Sequence, residues 1–227
     1  MNKEKLRELF SKCRMDKYKN DDEHAYNLYL ISLISHKIGM LEIIIRNRID
    51  KTMSASNKNW IRALPSEISL DNDMAKDHDT LVSNQTFGFW LKIARHYKIE
   101  VCAFEASFLA QFSFKKYYAK NKDKVGSASL RYYQKSSLLL QLIKIIRNRA
   151  FHFENLLKIH ENGAPRLSVK VNFKKASAIV GISPNKITEF LDDILRSFDE
   201  KLINYVETFD KYLGDNFRTK LKIYLEN

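Results

Sequence analysis

Turn-forming residues are scarce in this chain of 227 residues, which has six Gly and three Pro. Long segments run without either. That excludes a turn-rich β fold and points to helices. Cysteine is almost missing. Cys13 and Cys102 stand alone, with no CxxC pair and no spacing to a His that would hold a metal. A disulfide scaffold is excluded, and both thiols are expected to be reduced, buried or half-buried, in a cytosolic protein. There is no Gly-rich phosphate loop, no HExxH and no His-carboxylate array on one helix. Neither a metal nor a cofactor is expected. No unbroken apolar run reaches the roughly 18 to 20 residues of a membrane span. The first fourteen residues carry charges throughout and lack the apolar core of a secretory signal. The expected location is the cytoplasm, with no membrane partner.

What the chain has is positive charge and enough apolar residues for a core. Hydrophobic residues make up 44%, sufficient for one helical domain spanning 1–227. Lys and Arg number 39 against 27 Asp and Glu, a formal net charge of +12. Such a balance suits an anionic partner, nucleic acid or a membrane surface. A general lysine richness gives the same number without a partner.

Periodicity predicts a short amphipathic helix over 3–15, with Leu6, Leu9, Phe10 and Cys13 on one face. Asn20-Asp21-Asp22 supplies an N-cap for a long helix over about 23–53. Its core stripe is Leu30, Ile34, Ile38, Leu41, Ile45 and Ile49, flanked by Ser35, Gly39, Glu42 and Arg46. Ser35 and Gly39 would let another helix approach. Glu42 and Arg46 have the i, i+4 spacing of an intrahelical ion pair. A connection follows, with one helical turn near Trp60. Residues 77–97 read as a helix or a broken pair, with Phe87, Trp90, Leu91 and Ala94 inward and Gly88 allowing close packing. Residues 100–118 continue as helix, with Phe104, Phe108 and Phe112 at steps of four. Then comes a basic, Tyr-bearing stretch, Lys115 to Lys124. Lys115, Lys116, Lys120 and Lys122 are candidate phosphate contacts, and Tyr117 and Tyr118 candidate stacking surfaces. A solvated loop is the plain alternative.

The most informative segment is a long helix predicted over about 128–162, capped by Ser127. Leu139, Ile143, Ile146, Ala150, Phe153 and Leu157 form its core stripe. Gln141, Lys144, Asn148, His152 and Asn155 fall on the opposite face. His152 is thereby turned to water, a second layer or a second molecule. Leu167, Val169, Val171 and Phe173 alternate as one short strand, a hairpin arm or an extended loop near 166–173, and a short helix is predicted over 174–180. A last long helix over about 185–213 and a tail helix over 215–226 close the chain.

Arg147-Asn148-Arg149-Ala150-Phe151-His152-Phe153-Glu154 resembles the signature of the HEPN superfamily, Arg followed by four to six residues and His. In its Arg-Asn-Arg form the segment is similar to the abortive-infection (Abi-like) branch, with Phe153 where that branch has a second His. Leu41 to Asn47 and Thr86 to Trp90 also resemble stretches of that family, in the same order. The resemblance implies an all-α, HEPN-like helical bundle and a metal-independent endoribonuclease in antiphage abortive infection or as a toxin. It implies Arg147, Asn148 and His152 as catalytic residues, a homodimer that brings two motif helices together, and RNA as substrate and as a possible regulator. Glu42 and Arg46 would buttress the site from a neighbouring helix.

The residue types suit that chemistry. Cleavage at a ribose 2′-OH needs a base, an acid and a cation for the phosphoryl oxygens. His152 can serve as acid or base near neutral pH. Arg147 gives a planar, permanent donor set, Asn148 can orient ring or phosphate, and Lys144 and Arg149 add positive field. Asn155 is a supporting residue on the same polar face. Arg147 and His152 point about 140° apart on a helical wheel. They meet only if Arg147 reaches around or the site is composite. Two other readings stand beside the nuclease: a non-catalytic RNA-binding module, and a helical protein-interaction protein with no RNA affinity.

Overall fold

The computed structural model describes residues 3–68, 70, 76–174 and 176–210. Helices dominate, and two small antiparallel hairpins are added to them. The N-terminal helix is split where a single one is expected. α1 is Lys3–Phe10 and α2 is Lys12–Met15. Ser11 between them has φ 66°, and its Oγ accepts from the Arg14 amide, so it caps α2. The break turns the expected face outward: Leu9, Phe10 and Cys13 are exposed.

Asn20 starts α3, Asp21–Ser56, by accepting from the Glu23 amide at 2.8 Å. Three acidic residues follow in its first turn, the sign a helix N-terminus favours. The stripe Ile34, Ile38, Leu41, Ile45 and Ile49 is fully buried. Each such side chain contributes roughly 1.5–3 kcal/mol by leaving water. By length and composition alone α3 is long and apolar enough to cross a membrane, a test that the core helix of a globular protein also passes. Counting only unbroken apolar runs misses this, because Lys37, Glu42 and other polar residues interrupt the sequence but not the average. Gly39 is not a close-packing point: a Cβ there would meet nothing within 4 Å.

The turn at Trp60–Arg62 is as expected, and residues 77–97 form the broken pair α4, His78–Ser83, and α5, Phe87–His96. Phe87, Trp90, Leu91 and Ala94 are buried. His78 is the first residue of α4 and only partly exposed. Its Nε2 lies 3.0 Å from Asp50 Oδ1, which also accepts from Trp60 Nε1. The helix expected over 100–118 is three short pieces: a 3-10 turn at Glu100–Ala103, α6 at Ala106–Gln111 and a 3-10 turn at Phe114–Lys116. Lys135 ends α6. Its buried ammonium donates to the carbonyls of Leu109 and Phe112 at 2.6 and 2.8 Å, a cation at a helix C-terminus.

A two-residue hairpin follows, β1 at Lys124–Val125 and β2 at Ala128–Ser129. α7 is Tyr132–Phe151, shorter at both ends than the predicted 128–162, and begins with the Gln134 side chain accepting from the Arg131 amide. The segment near 166–173 is the first arm of a hairpin, β3 Ser168–Phe173, and β3 lies on α7; the helix expected over 174–180 is instead the second strand, β4 Ala176–Gly181, whose backbone pairs with β3. The expected C-terminal helix breaks at Asp199 into α8, Ile187–Phe198, and α9, Lys201–Asp210. Asp199 is extended and accepts from the Lys201 amide at 2.8 Å, a new N-cap. The tail helix expected over 215–226 lies outside the described residues. α3 packs on α5, α7 and α8, and a buried bridge of 2.5 Å from Lys37 to Asp192 fixes α3 against α8.

α1, α2 and the start of α3 meet around His24, buried between the edges of Phe10 and Tyr18. Burial first, and then Arg14, hold its pKa below the ordinary 6.5, with Asp21 opposing. A depressed histidine pKa means the folded protein resists a proton that the unfolded chain accepts. Its penalty is nil above 6.5 and grows as pH falls below that value. Urea titrations between about pH 7 and pH 5 should show a falling midpoint, with part of the slope removed in His24→Phe. Equal slopes in the two proteins would contradict the assignment.

Candidate functional site

How α7 ends decides where His152 lies. The Phe153 amide donates to the Ala150 carbonyl at 2.9 Å, and the Glu154 amide to the Arg149 carbonyl at 2.8 Å. Those two bonds make a Schellman turn, whose left-handed residue is usually Gly. Here it is Phe153, with φ 52°. His152, the residue before it, caps the helix and is exposed. Phe153 is also exposed, not part of a core stripe, because the helix has already ended.

Asn27 on α3 secures this turn. It is fully buried, its Nδ2 donating to the Glu154 carbonyl at 3.1 Å and to the Tyr18 hydroxyl at 3.2 Å. Its Oδ1 accepts from the Leu156 amide at 2.8 Å. Asn155 is likewise buried rather than on a polar face. It donates to the Lys17 carbonyl at 3.0 Å and caps the Leu157 amide. Asn155 therefore ties the turn to the N-terminal segment.

The result is a cleft of about 500 Å³ with His152 on its wall. Arg14, Lys17 and Arg166 line it, with Tyr18 and Glu154. Three cations thus face one carboxylate, and that carboxylate is shared. Glu154 Oε2 accepts from Arg149 at 2.7 Å and from Arg166 at 3.0 Å. Arg14 is anchored by donating to the Phe153 carbonyl at 2.7 Å. The His152 ring has no hydrogen-bond partner among the described residues. Arg149 holds Glu154 from behind; burial first, and then Arg166, make its guanidinium less basic than usual.

Arg147 faces elsewhere. Its Nε donates to Glu42 Oε1 at 2.7 Å, its guanidinium lies 5.2 Å from the Phe151 ring centre, and Asn148 Oδ1 is 3.4 Å from NH1. Glu42 therefore pairs across to α7, not within its own helix. Arg46 donates instead to Asn47 Oδ1 at 3.1 Å. Lys144 lies over α5, its Nζ 3.8 Å from where a Cβ on Gly88 would be. So the stretches at 41–47, 86–90 and 144–154 are neighbours in space, while Arg147 and His152 of one chain serve different surroundings.

The lysine stretch also divides. Lys116 is bound to Asp193 at 2.5 Å and Glu189 at 3.3 Å, and Tyr117 is buried with its hydroxyl on Asp193. Lys115 is exposed. Lys120 and Lys122 line a second cleft of about 420 Å³ with Tyr118 and Lys124. Sequence reasoning overlooked Arg14, Lys17, Tyr18 and Arg166. The interleaved run Lys12, Arg14, Lys17, Tyr18, Lys19 was a usable signal for the first three; nothing in the order of residues places Arg166 beside them. Among the described residues, no cluster of His, Cys, Asp and Glu could hold a metal ion. No family model matches the chain, and no curated protein or solved structure matches it.

A bulky residue in the left-handed region costs roughly 1–2 kcal/mol relative to Gly. Phe153→Gly should raise the unfolding free energy by about 1 kcal/mol in urea denaturation. A loss of stability would show that the Phe153 ring is held by packing that outweighs the strain.

Proposed function

We propose that the chain is a metal-independent endoribonuclease of the HEPN type, working as a homodimer. The carrying observation is an exposed His152, with no hydrogen-bond partner among the described residues, on a cleft walled by Arg14, Lys17 and Arg166. A phosphodiester seated there meets permanent positive charge beside a group that can move a proton. The His152 imidazole takes the proton of a ribose 2′-OH, the 2′-oxygen attacks the adjacent phosphorus, and the bond to the 5′-oxygen breaks. A protonated imidazole returns the proton to that leaving oxygen. The products are a 2′,3′-cyclic phosphate and a 5′-OH end.

Within one chain the cations of the cleft are Arg14, Lys17 and Arg166, while Arg147 is paired with Glu42. A second copy supplies what one chain does not bring together. Phe151 and Phe153, both over 40% exposed, flank His152 and offer apolar surface for it. In that arrangement the ion pair with Glu42 holds Arg147 at a fixed angle for the partner's His152. The defence or toxin role comes from the resemblance of the 147–154 segment alone.

A non-catalytic RNA-binding module is the second reading. It is favoured by the same Arg147–Glu42 bond, which spends the charge that catalysis would use. Purified protein, incubated with mixed RNA in EDTA, separates the two. Wild type should give cyclic-phosphate ends, and His152→Ala should lower the rate about 100-fold or more. Arg147→Ala should also cut slowly, and Arg14→Ala should weaken RNA binding. His152→Ala cutting as fast as wild type would contradict the nuclease.

A further inference from the structure

The cleft at Lys120 and Lys122 lies outside the His152 site and has features of its own. Five lysines stand between residues 115 and 124, with one acidic residue, Asp123. That carboxylate is turned into the fold. It accepts from Ser113 Oγ at 2.5 Å and from the Phe114 amide at 2.9 Å. Lys120, Lys122 and Lys124 are left exposed around the cleft, and among the described residues no Asp or Glu lines it.

The lysines sit on a rigid mount. Asn121, between two of them, is buried; its Nδ2 donates to the carbonyls of Phe114 and Gly181, and its Oδ1 accepts from the Gly181 amide. A Cβ on Gly181 would fall 2.7 Å from Pro165 Cγ, so only Gly lets β4 come this close to the 164–168 segment. Tyr118 and the exposed Ile179 add flat and apolar surface to the same cleft. Pro165 lines this cleft and Arg166, the next residue, lines the His152 cleft.

We propose that Tyr118, Lys120, Lys122, Lys124 and Ile179 form a second site, which holds single-stranded RNA by its phosphates and one base. Three matched cations without a competing carboxylate suit a run of phosphates, and a tyrosine beside them suits stacking. The identity of the strand as RNA rests on the proposed nuclease; the site itself does not. Adjacent chain positions in the walls of both clefts let one strand lie in the two together.

The test uses the full chain and a fluorescent single-stranded 2′-O-methyl RNA of about 20 nucleotides, which cannot be cut, read by anisotropy across a salt series. The triple variant Lys120→Gln, Lys122→Gln, Lys124→Gln should raise Kd about tenfold or more. It should also flatten the salt slope by about 2, since each neutralised phosphate of a single strand contributes roughly 0.7. Lys58→Gln, which neutralises an exposed lysine outside both clefts, should change neither. An unchanged Kd and slope in the triple variant would overturn the proposal, even if wild type cleaves RNA. Full displacement of the strand by AMP would also overturn it, pointing to a mononucleotide site. Loss of binding in the triple variant, with no cleavage by wild type, would uphold this site while the nuclease reading falls.

Discussion

The buried amide of Asn27 fixes the geometry on which everything near His152 depends. It bonds the Glu154 carbonyl, the Leu156 amide and the Tyr18 hydroxyl. Leaving those backbone groups unpaired in the interior would cost about 1–3 kcal/mol each. The amide therefore selects one path for the chain after α7, and that path requires Phe153 to sit in the left-handed region. His152 reaches the cleft because its helix stops there. The same amide holds Tyr18, so the N-terminal segment that carries Arg14 and Lys17 is tied to the end of α7.

Charge then separates two kinds of cation. Some are held by carboxylates on a neighbouring element: Lys37 on Asp192, Arg48 on Glu105, Lys116 on Asp193, Arg147 on Glu42. Lys135 has carbonyls instead and ends α6. Other cations line two clefts that share the 164–168 segment, one beside His152 and one beside Tyr118. A net charge of +12 is compatible with many uses. Its distribution narrows them, because acids neighbouring these two clefts are either absent or shared between arginines.

The helical character, the N-cap at Asn20 and the Ile stripe of α3 were legible because each follows from local pattern alone. A contact from Glu42 on a neighbouring helix to the 147–152 segment was expected from the resemblance, and Glu42 bonds Arg147; that residues 86–90 lie beside them was not. The end of α7 was not legible. Its stop is made by a Phe in a conformation that sequence assigns to Gly, and by an amide 126 residues away from Phe153. The apolar period continues through Phe153 and Leu157, so it overruns. Glu42 was expected to bond within its helix, since i, i+4 spacing is visible in sequence and a partner on α7 is not. Two further helices stop at local bonds, Ser11 accepting from the Arg14 amide and Asp199 from the Lys201 amide.

The central claim is that His152 faces a bound phosphodiester. The direct measurement is the ring resonances of the six histidines, labelled with 13C, during titration with a short single-stranded 2′-O-methyl RNA. The account predicts that His152 shifts saturably with the strand and that Arg14→Ala weakens the titration, while His96 and His160 stay in place. An unmoved His152 in protein saturated with RNA would contradict it, and would leave the exposed histidine as surface and the chain as a binder through its lysines.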